Sequence, residues 1–461
     1  MSQPAVAGSE GSVSGRVTSE AGAAASAGPA SHTTRRGRAV LLVANTAAPY
    51  SRGLRVARSL AEAGWQVEIA AVAGHDRPET EHDGEILIHR YRPSGPFARW
   101  VGQPPPPRPP TKPLRILALN ADKALKVVFW PLHVRAWWRT LRHELPPADL
   151  YHAFGILALP VALDLAQKAR RGGRRGLVVY DVIDAILDSN NYQNVPAPIL
   201  ARYRRQEAGW VRRVDAVVTV NDALADHCHR LWPFRDRPTV LLNCQPRWEP
   251  PDRRPDLIRQ AAGLPAGRRV VLFLGKLGRQ RGLEMAAEAA ARLPDAALVM
   301  LGSVVNRDWD ATLRAKSADP RFAGRHVVLP AVHPDEVPLW AASADVSIIA
   351  VPANSLNQRL STPNKFWESL TAGTPVVIGR DLEVMRGIVE RDDLGVAADP
   401  LDPADLARGL GAILEQPSGA YEAMRARCLR ISRDRYNWET AVGPYLELVE
   451  HLAASPSTGE D

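Results

Sequence analysis

Short uninterrupted apolar runs alternate along the chain with longer stretches in which apolar residues return every three or four positions. Ala39–Ala44 is the first such run, the pattern of a strand buried on both faces. A polar loop follows from Asn45 to Gly53, and Leu54, Ala57, Leu60 and Ala61 then recur at helical spacing until Gly64. Val67–Val72 supplies the next strand. The chain therefore opens as a βαβ unit, whose parallel sheet binds ligands beyond the carboxyl ends of its strands. Further strands are predicted at Ile86–His89, Leu150–Ala153, Leu177–Tyr180, Ala216–Val220 and Thr239–Leu242. A second series runs through Val270–Leu274, Ala297–Leu301, Val327–Leu329, Val346–Ile349 and Val376–Ile378. Two consecutive strand–helix series predict an α/β chain of two doubly wound, Rossmann-like domains, over 37–245 and 257–432. The Pro-rich segment Gln245–Pro255 predicts a linker over 246–256.

With 461 residues, of which 45% are hydrophobic, the chain exceeds one ordinary core. No run of eighteen uncharged apolar residues offers a membrane span. Cys228, Cys244 and Cys428 lack metal-ligand or redox spacing, which predicts buried thiols, no metal and a reducing cytoplasm. Residues 1–36 hold few bulky apolar groups and are expected to be a disordered tail, with a flexible tail at 454–461. The N-terminal stretch lacks the basic-then-apolar layout of a secretory signal.

Charge changes the picture more. The net charge is +8, yet residues 35–235 carry 30 Lys/Arg against 18 Asp/Glu, a balance of +12 that leaves −4 elsewhere. Such an asymmetry predicts an anionic surface or an anionic acceptor at the first domain. An insertion over 97–147 is its most concentrated part, with nine Lys/Arg, two acidic residues and four tryptophans. Gln103–Pro113 reads as a stiff spacer. Trp130, Val134, Trp137 and Leu141 then form a stripe beside Arg135, Arg139 and Arg142. A helix within 114–142 could lie in an anionic headgroup plane as a peripheral membrane anchor. It could equally pack its stripe on its own domain.

Two segments carry the chemistry. Val270–Leu274 ends in Gly275-Lys276-Leu277-Gly278-Arg279-Gln280-Arg281-Gly282, a basic loop in which glycines let backbone approach a ligand closely. Lys276 and Arg281 supply charge suited to a diphosphate. Downstream, Ser361-Thr362-Pro363-Asn364-Lys365-Phe366-Trp367-Glu368 reads as a polar loop opening a short helix, followed by Gly373-Thr374-Pro375 and an apolar strand. An anion is favoured at such a helix start. The two segments resemble the donor half of family-4 glycosyltransferases, most closely over 265–445, and Pro363–Glu368 resembles the branch of that family reading Pro-Asn-Lys-x-x-Glu.

The resemblance implies a GT-B fold and a retaining, metal-independent glycosyltransferase that needs no cofactor beyond a nucleotide-diphosphate sugar. Lys276 and Arg281 would grip the donor diphosphate as catalytic counter-charges, and Glu368 would hold the ribose diol. Gly275, Gly302, Ser303, Val332, Ser361, Thr362, Asn364 and Lys365 would complete the donor site. Leu360 stands where relatives carry a sugar-holding glutamate. A segment at 433–453 would be a helix crossing back to the first domain. On the acceptor side, His152 and Phe154 stand where many members read His-x-His. Ser51, Arg52, Gly53, Asp181 and Asp184 would face the acceptor, Arg52 reaching the diphosphate on closure. As a lone histidine among apolar neighbours, His152 reads equally as a core residue, and His333 as a satisfied loop residue. The implied setting is synthesis of cell-surface polysaccharide, glycolipid or a glycosylated metabolite, with no nucleic-acid partner. An epimerase or hydrolase of the same fold, or a non-catalytic membrane-associated scaffold, fits the same residues.

Overall fold

The computed structural model describes residues 36–47, 50–74, 77–94, 134–278, 281–304, 307–322 and 324–455. The first sheet contains β1 (Gly37–Val43), β2 (Trp65–Val72), β3 (Thr80–Asp83), β4 (Ile86–Tyr91), β5 (Leu150–Phe154), β6 (Leu177–Val182), β7 (Ala216–Thr219) and β8 (Thr239–Val240). Their spatial order is β3-β4-β2-β1-β5-β6-β7-β8, parallel except where β3 meets β4. The second sheet contains β9 (Arg269–Leu274), β10 (Ala296–Leu301), β11 (His326–Leu329), β12 (Val346–Ile349), β13 (Val376–Gly379) and β14 (Gly395–Ala398). It is parallel throughout, in the order β11-β10-β9-β12-β13-β14. The chain has the GT-B architecture of two Rossmann-like sheets.

Burial explains why the apolar runs sit where they do. Val40 to Leu42 and Val270 to Leu272 are fully buried, as expected for central parallel strands covered on both faces. Two strands gave no such signal. In β3 the residues are Thr-Glu-His-Asp and mostly exposed at an antiparallel edge, while β14 reads Gly-Val-Ala-Ala, with little apolar bulk.

The 134–144 segment of the basic insertion is helical, with Trp137 and Leu141 buried in the first-lobe core. The Trp137 indole donates to the Ala71 carbonyl at 3.1 Å. This corrects the headgroup-plane reading for the described part of the helix, because its apolar stripe is spent on its own lobe. Trp130, the Gln103–Pro113 spacer and most of 114–142 lie outside the described residues, as do residues 1–35 and 456–461. At the other end, the helices Trp438–Ala441 and Gly443–Ala454 pack on the first lobe. Tyr445 and Val449 join the cluster containing Leu41 and Leu60, and the Trp438 indole donates to Ser59 Oγ at 2.9 Å.

The lobes also meet around a cleft. Leu360, from the second lobe, is buried in the first-lobe cluster that contains Val182 and Val220. Asn221 donates to the Leu360 carbonyl at 2.8 Å, Asn190 to Gln358 at 3.1 Å and Gln193 to the Asn354 carbonyl at 2.6 Å. The position that holds a glutamate in the resembled family thus serves here as an apolar contact between lobes.

Candidate active site

The second-lobe wall is built by backbone that must come close. Gly275 ends β9 at φ +99°, and a Cβ on Gly302, after β10, would lie 1.8 Å from the Gly275 carbonyl oxygen. Gly282 has φ +74°, and a Cβ there would lie 1.7 Å from the Ala350 carbonyl oxygen. Only glycine fits such a position.

The helix Asn364–Thr371 starts at the cleft lining after Pro363, and no side chain caps its first N–H groups. It ends at Gly373, φ +67°, where the Thr374 N–H returns to the Ser369 carbonyl at 2.8 Å. Phe366, Trp367 and Leu370 pack into the core with Ile349, Val376 and Ile378. That packing fixes Lys365 and Glu368, three apart and hence one above the other on the helix surface. Lys365 is 7% exposed, its Nζ sits 3.9 Å from the Phe273 ring centroid, and it has no hydrogen-bond partner. Burial pushes its pKa down to about 7, Arg281 adds to the effect and Glu368 opposes it. Burial likewise pushes Glu368 up to about 7, against the pull of Arg55 and Lys365.

Between the lobes lies a cleft of about 480 Å³. From the second lobe it is lined by Arg281, Asn357, Gln358, Ser361, Thr362, Asn364 and Lys365, among others. Asp184, Ser189, Asn190 and Asn191 line it from the first. Three buried polar atoms on this lining lack a hydrogen-bond partner: Lys365 Nζ, Thr362 Oγ1 and Ser189 Oγ. Unpartnered buried groups are costly, and their gathering in one hollow suits a polar ligand. Arg281 is exposed on the same wall. Asp184 takes a hydrogen bond from the Asn357 side chain; its pKa is raised by desolvation, with Asn357 and Arg281 pulling the other way.

The expected donor residues separate into groups. Arg281, Ser361, Thr362, Asn364 and Lys365 come together on the cleft lining, and Gly275 lies against Lys365. Lys276 and Ser303 are exposed and Val332 packs beside Trp340, but none of the three lines the cleft itself. The Asn364 side chain is committed elsewhere: it accepts from Asn243 at 2.6 Å and donates to Ser51 Oγ at 3.2 Å. It therefore ties the lobes together. Gly53 lies under the Tyr50 ring, too close for any Cβ. His333 caps its own short turn, accepting from the Asp335 N–H.

The larger correction concerns the acceptor side. Arg52 is 2% exposed and holds both oxygens of fully buried Asp181, at 2.8 and 3.0 Å, while its Nη1 donates to the Leu241 carbonyl. His152, also fully buried, sits between Asp181 at 3.2 Å and the Tyr445 hydroxyl at 2.9 Å. Burial lowers the His152 pKa despite Asp181, so the ring is neutral; burial would raise Asp181, but Arg52 and His152 outweigh it. Arg52, Asp181 and His152 form a closed structural network beneath the cleft, with no group free to reach a substrate. Asp184, three residues on, is the one that faces the opening.

Sequence reasoning missed several groups on the cleft lining and one cation buried behind it. Arg55 is buried, stacks over Trp438 at 5.2 Å, and donates to Asn243 at 2.6 Å. Asn190, Asn191, Asn243 and Asn357 were also unmarked. The only available signal was the amide-rich run Ser189-Asn190-Asn191-Tyr192-Gln193-Asn194 after a strand end.

Comparison with known proteins follows this division. The family model described as "Glycosyl transferase 4-like domain" matches residues 47–244, and "Glycosyl transferases group 1" matches 255–435. A D-inositol 3-phosphate glycosyltransferase of Xylanimonas cellulosilytica is 30% identical over 196 residues, 41% of this chain and 44% of the relative. The match thus spans under half the length of that relative. Among solved structures, a sucrose-phosphate synthase from Thermosynechococcus elongatus aligns with a TM-score of 0.65 at 17% identity, covering 91% of this chain and 100% of the other. HepE of Anabaena, solved in complex with UDP, aligns with a TM-score of 0.64 at 15% identity, covering 90% and 100%. Residues 47–244 thus form a glycosyltransferase domain of the 4-like type, and residues 255–435 one of the group 1 type.

Proposed function

We propose that the protein transfers a sugar, with retention, from a nucleoside-diphosphate sugar held by the second lobe to a hydroxyl of an acceptor held by the first. The observation that carries this reading is Lys365: a buried amino group without a hydrogen-bond partner, beside the uncapped N-terminus of its helix and the Gly275 backbone. A diphosphate placed there would satisfy Lys365, the free N–H groups and Arg281 together. As the glycosidic bond breaks, charge builds on the leaving phosphate, and fixed donors and cations at that point lower the barrier. Glu368, one turn further on, would hold the ribose hydroxyls. Closed lobes would exclude water; the acceptor oxygen bonds to the anomeric carbon on the face from which the diphosphate departs, and the hydroxyl proton passes to the departing phosphate oxygen. The binding of UDP by HepE, which shares this fold, supports a nucleoside diphosphate as the occupant.

Incubating the purified protein with a panel of nucleotide sugars, with products read by mass spectrometry, tests the reading. One donor should be protected against unfolding and slowly hydrolysed, and transferred when an acceptor is supplied. Interconversion of donor sugars without release of nucleotide, or no donor binding at all, would refute it.

A further inference from the structure

The +12 balance of residues 35–235 invites an anionic acceptor, but among the described residues none of those cations lines the cleft. Arg139, Arg142, Arg170, Arg171, Arg202 and Arg205 stand exposed on the helices 134–144, 159–171 and 197–211. None of them lines the cleft. Among the described residues that do, the first lobe contributes Ile183, Asp184, Ser189, Asn190, Asn191, Val220 and Asn243. That wall carries one carboxylate, amides and a hydroxyl, with no cation. The two described cations on the lining, Arg281 and Lys365, both belong to the second lobe, and the donor's own diphosphate would occupy them.

From this distribution we infer that the acceptor is a polyhydroxylated molecule without a phosphate or other anionic group, either neutral or amine-bearing. The inference rests on the transferase reading above and specifies its acceptor. Asp184, already held by Asn357, accepts a hydrogen bond from an acceptor hydroxyl or ammonium, and the amides of Asn190 and Asn191 read further hydroxyls. A phosphorylated acceptor would set its charge against Asp184 and against the donor's diphosphate, and like charges at short range repel. No cation on the described first-lobe wall would offset that.

The test uses the full-length protein with glucose, glucosamine and glucose 6-phosphate as a matched set. Binding is measured by calorimetry in the presence of saturating UDP, GDP or ADP, whichever binds, and transfer is measured with the corresponding donor. Glucose or glucosamine should bind or react better than glucose 6-phosphate by ~10-fold or more, the scale of one charged contact. Asp184→Asn should weaken the preferred acceptor by a similar ~10-fold without weakening the nucleotide, and Asp184→Arg should improve glucose 6-phosphate relative to glucose. Preference for the 6-phosphate, equal response to all three, or an acceptor response untouched in Asp184→Asn would overturn the inference while leaving donor binding intact. Absence of any nucleotide binding would instead remove the transferase reading, and this inference with it.

Discussion

Two clusters of charged residues lie near the strand ends of this molecule, one in each lobe, and they differ in whether their bonds are complete. In the first lobe Arg52, Asp181, His152 and Tyr445 form a chain of hydrogen bonds with no exposed member. In the second, Lys365 has no hydrogen-bond partner, Arg281 stands exposed on the cleft wall, and burial raises the Glu368 pKa to about 7. From the sequence alone both read as sites. Completeness separates them: a satisfied network holds a fold together, whereas an unsatisfied one at a cleft has room for a ligand.

The comparison breaks most visibly by removing one member of the closed network. Asp181→Ala would leave the Arg52 guanidinium buried without its counter-charge, which should cost about 3–5 kcal/mol of stability. Chemical denaturation reads this directly. An unchanged midpoint together with lost transfer would make Asp181 part of the chemistry after all. Next in size is Gly282→Ala, where a positive φ and a carbonyl in the path of the new Cβ should cost at least ~1–3 kcal/mol. Thermal melting checks it, and a wild-type Tm would mean that the loop has another conformation.

On the open side, Lys365→Met keeps the buried length of the side chain and removes only its charge. It should weaken nucleoside diphosphate binding by about 1.5–3 kcal/mol, or ~10- to 100-fold, with little change in stability. The smallest effect is in pH dependence. With its pKa pushed down to about 7, Lys365 is mostly neutral at pH 8 in the free protein, and a neighbouring diphosphate raises that pKa again. Binding at pH 8 should therefore take up a proton, and affinity should fall as pH rises above about 7, by up to ~1 log unit per pH unit. Calorimetry in buffers of different ionisation heat measures the uptake, which Lys365→Met should abolish.

Much of the fold was legible because parallel strands buried on both faces announce themselves as apolar runs. The runs at Ala39–Ala44 and Val270–Leu274 became the central strands β1 and β9. The polar edge strand β3 and the small-residue strand β14 gave no such signal. The donor side was legible where chemistry is local: Lys365 and Glu368 are three residues apart on one helix, and Gly282 sits in the same loop as Arg281. The acceptor side was not, because its state depends on long-range pairing. Whether Arg52 is free or bound to Asp181 is decided across 129 positions, and whether Asn364 faces a sugar or ties the lobes depends on Asn243 and Ser51. The +12 charge balance could not locate a partner for the same reason, since a count along the chain does not say which face the arginines take.

The most direct test compares each nucleoside diphosphate with its parent nucleoside by titration calorimetry, against the native protein and Arg281→Ala. If the open cluster holds a pyrophosphate, one diphosphate will bind the native protein far better than its nucleoside, and Arg281→Ala will lose ~10- to 100-fold of that advantage while binding the nucleoside equally well. Equal affinity for diphosphate and nucleoside, or a diphosphate advantage untouched in Arg281→Ala, would contradict the account.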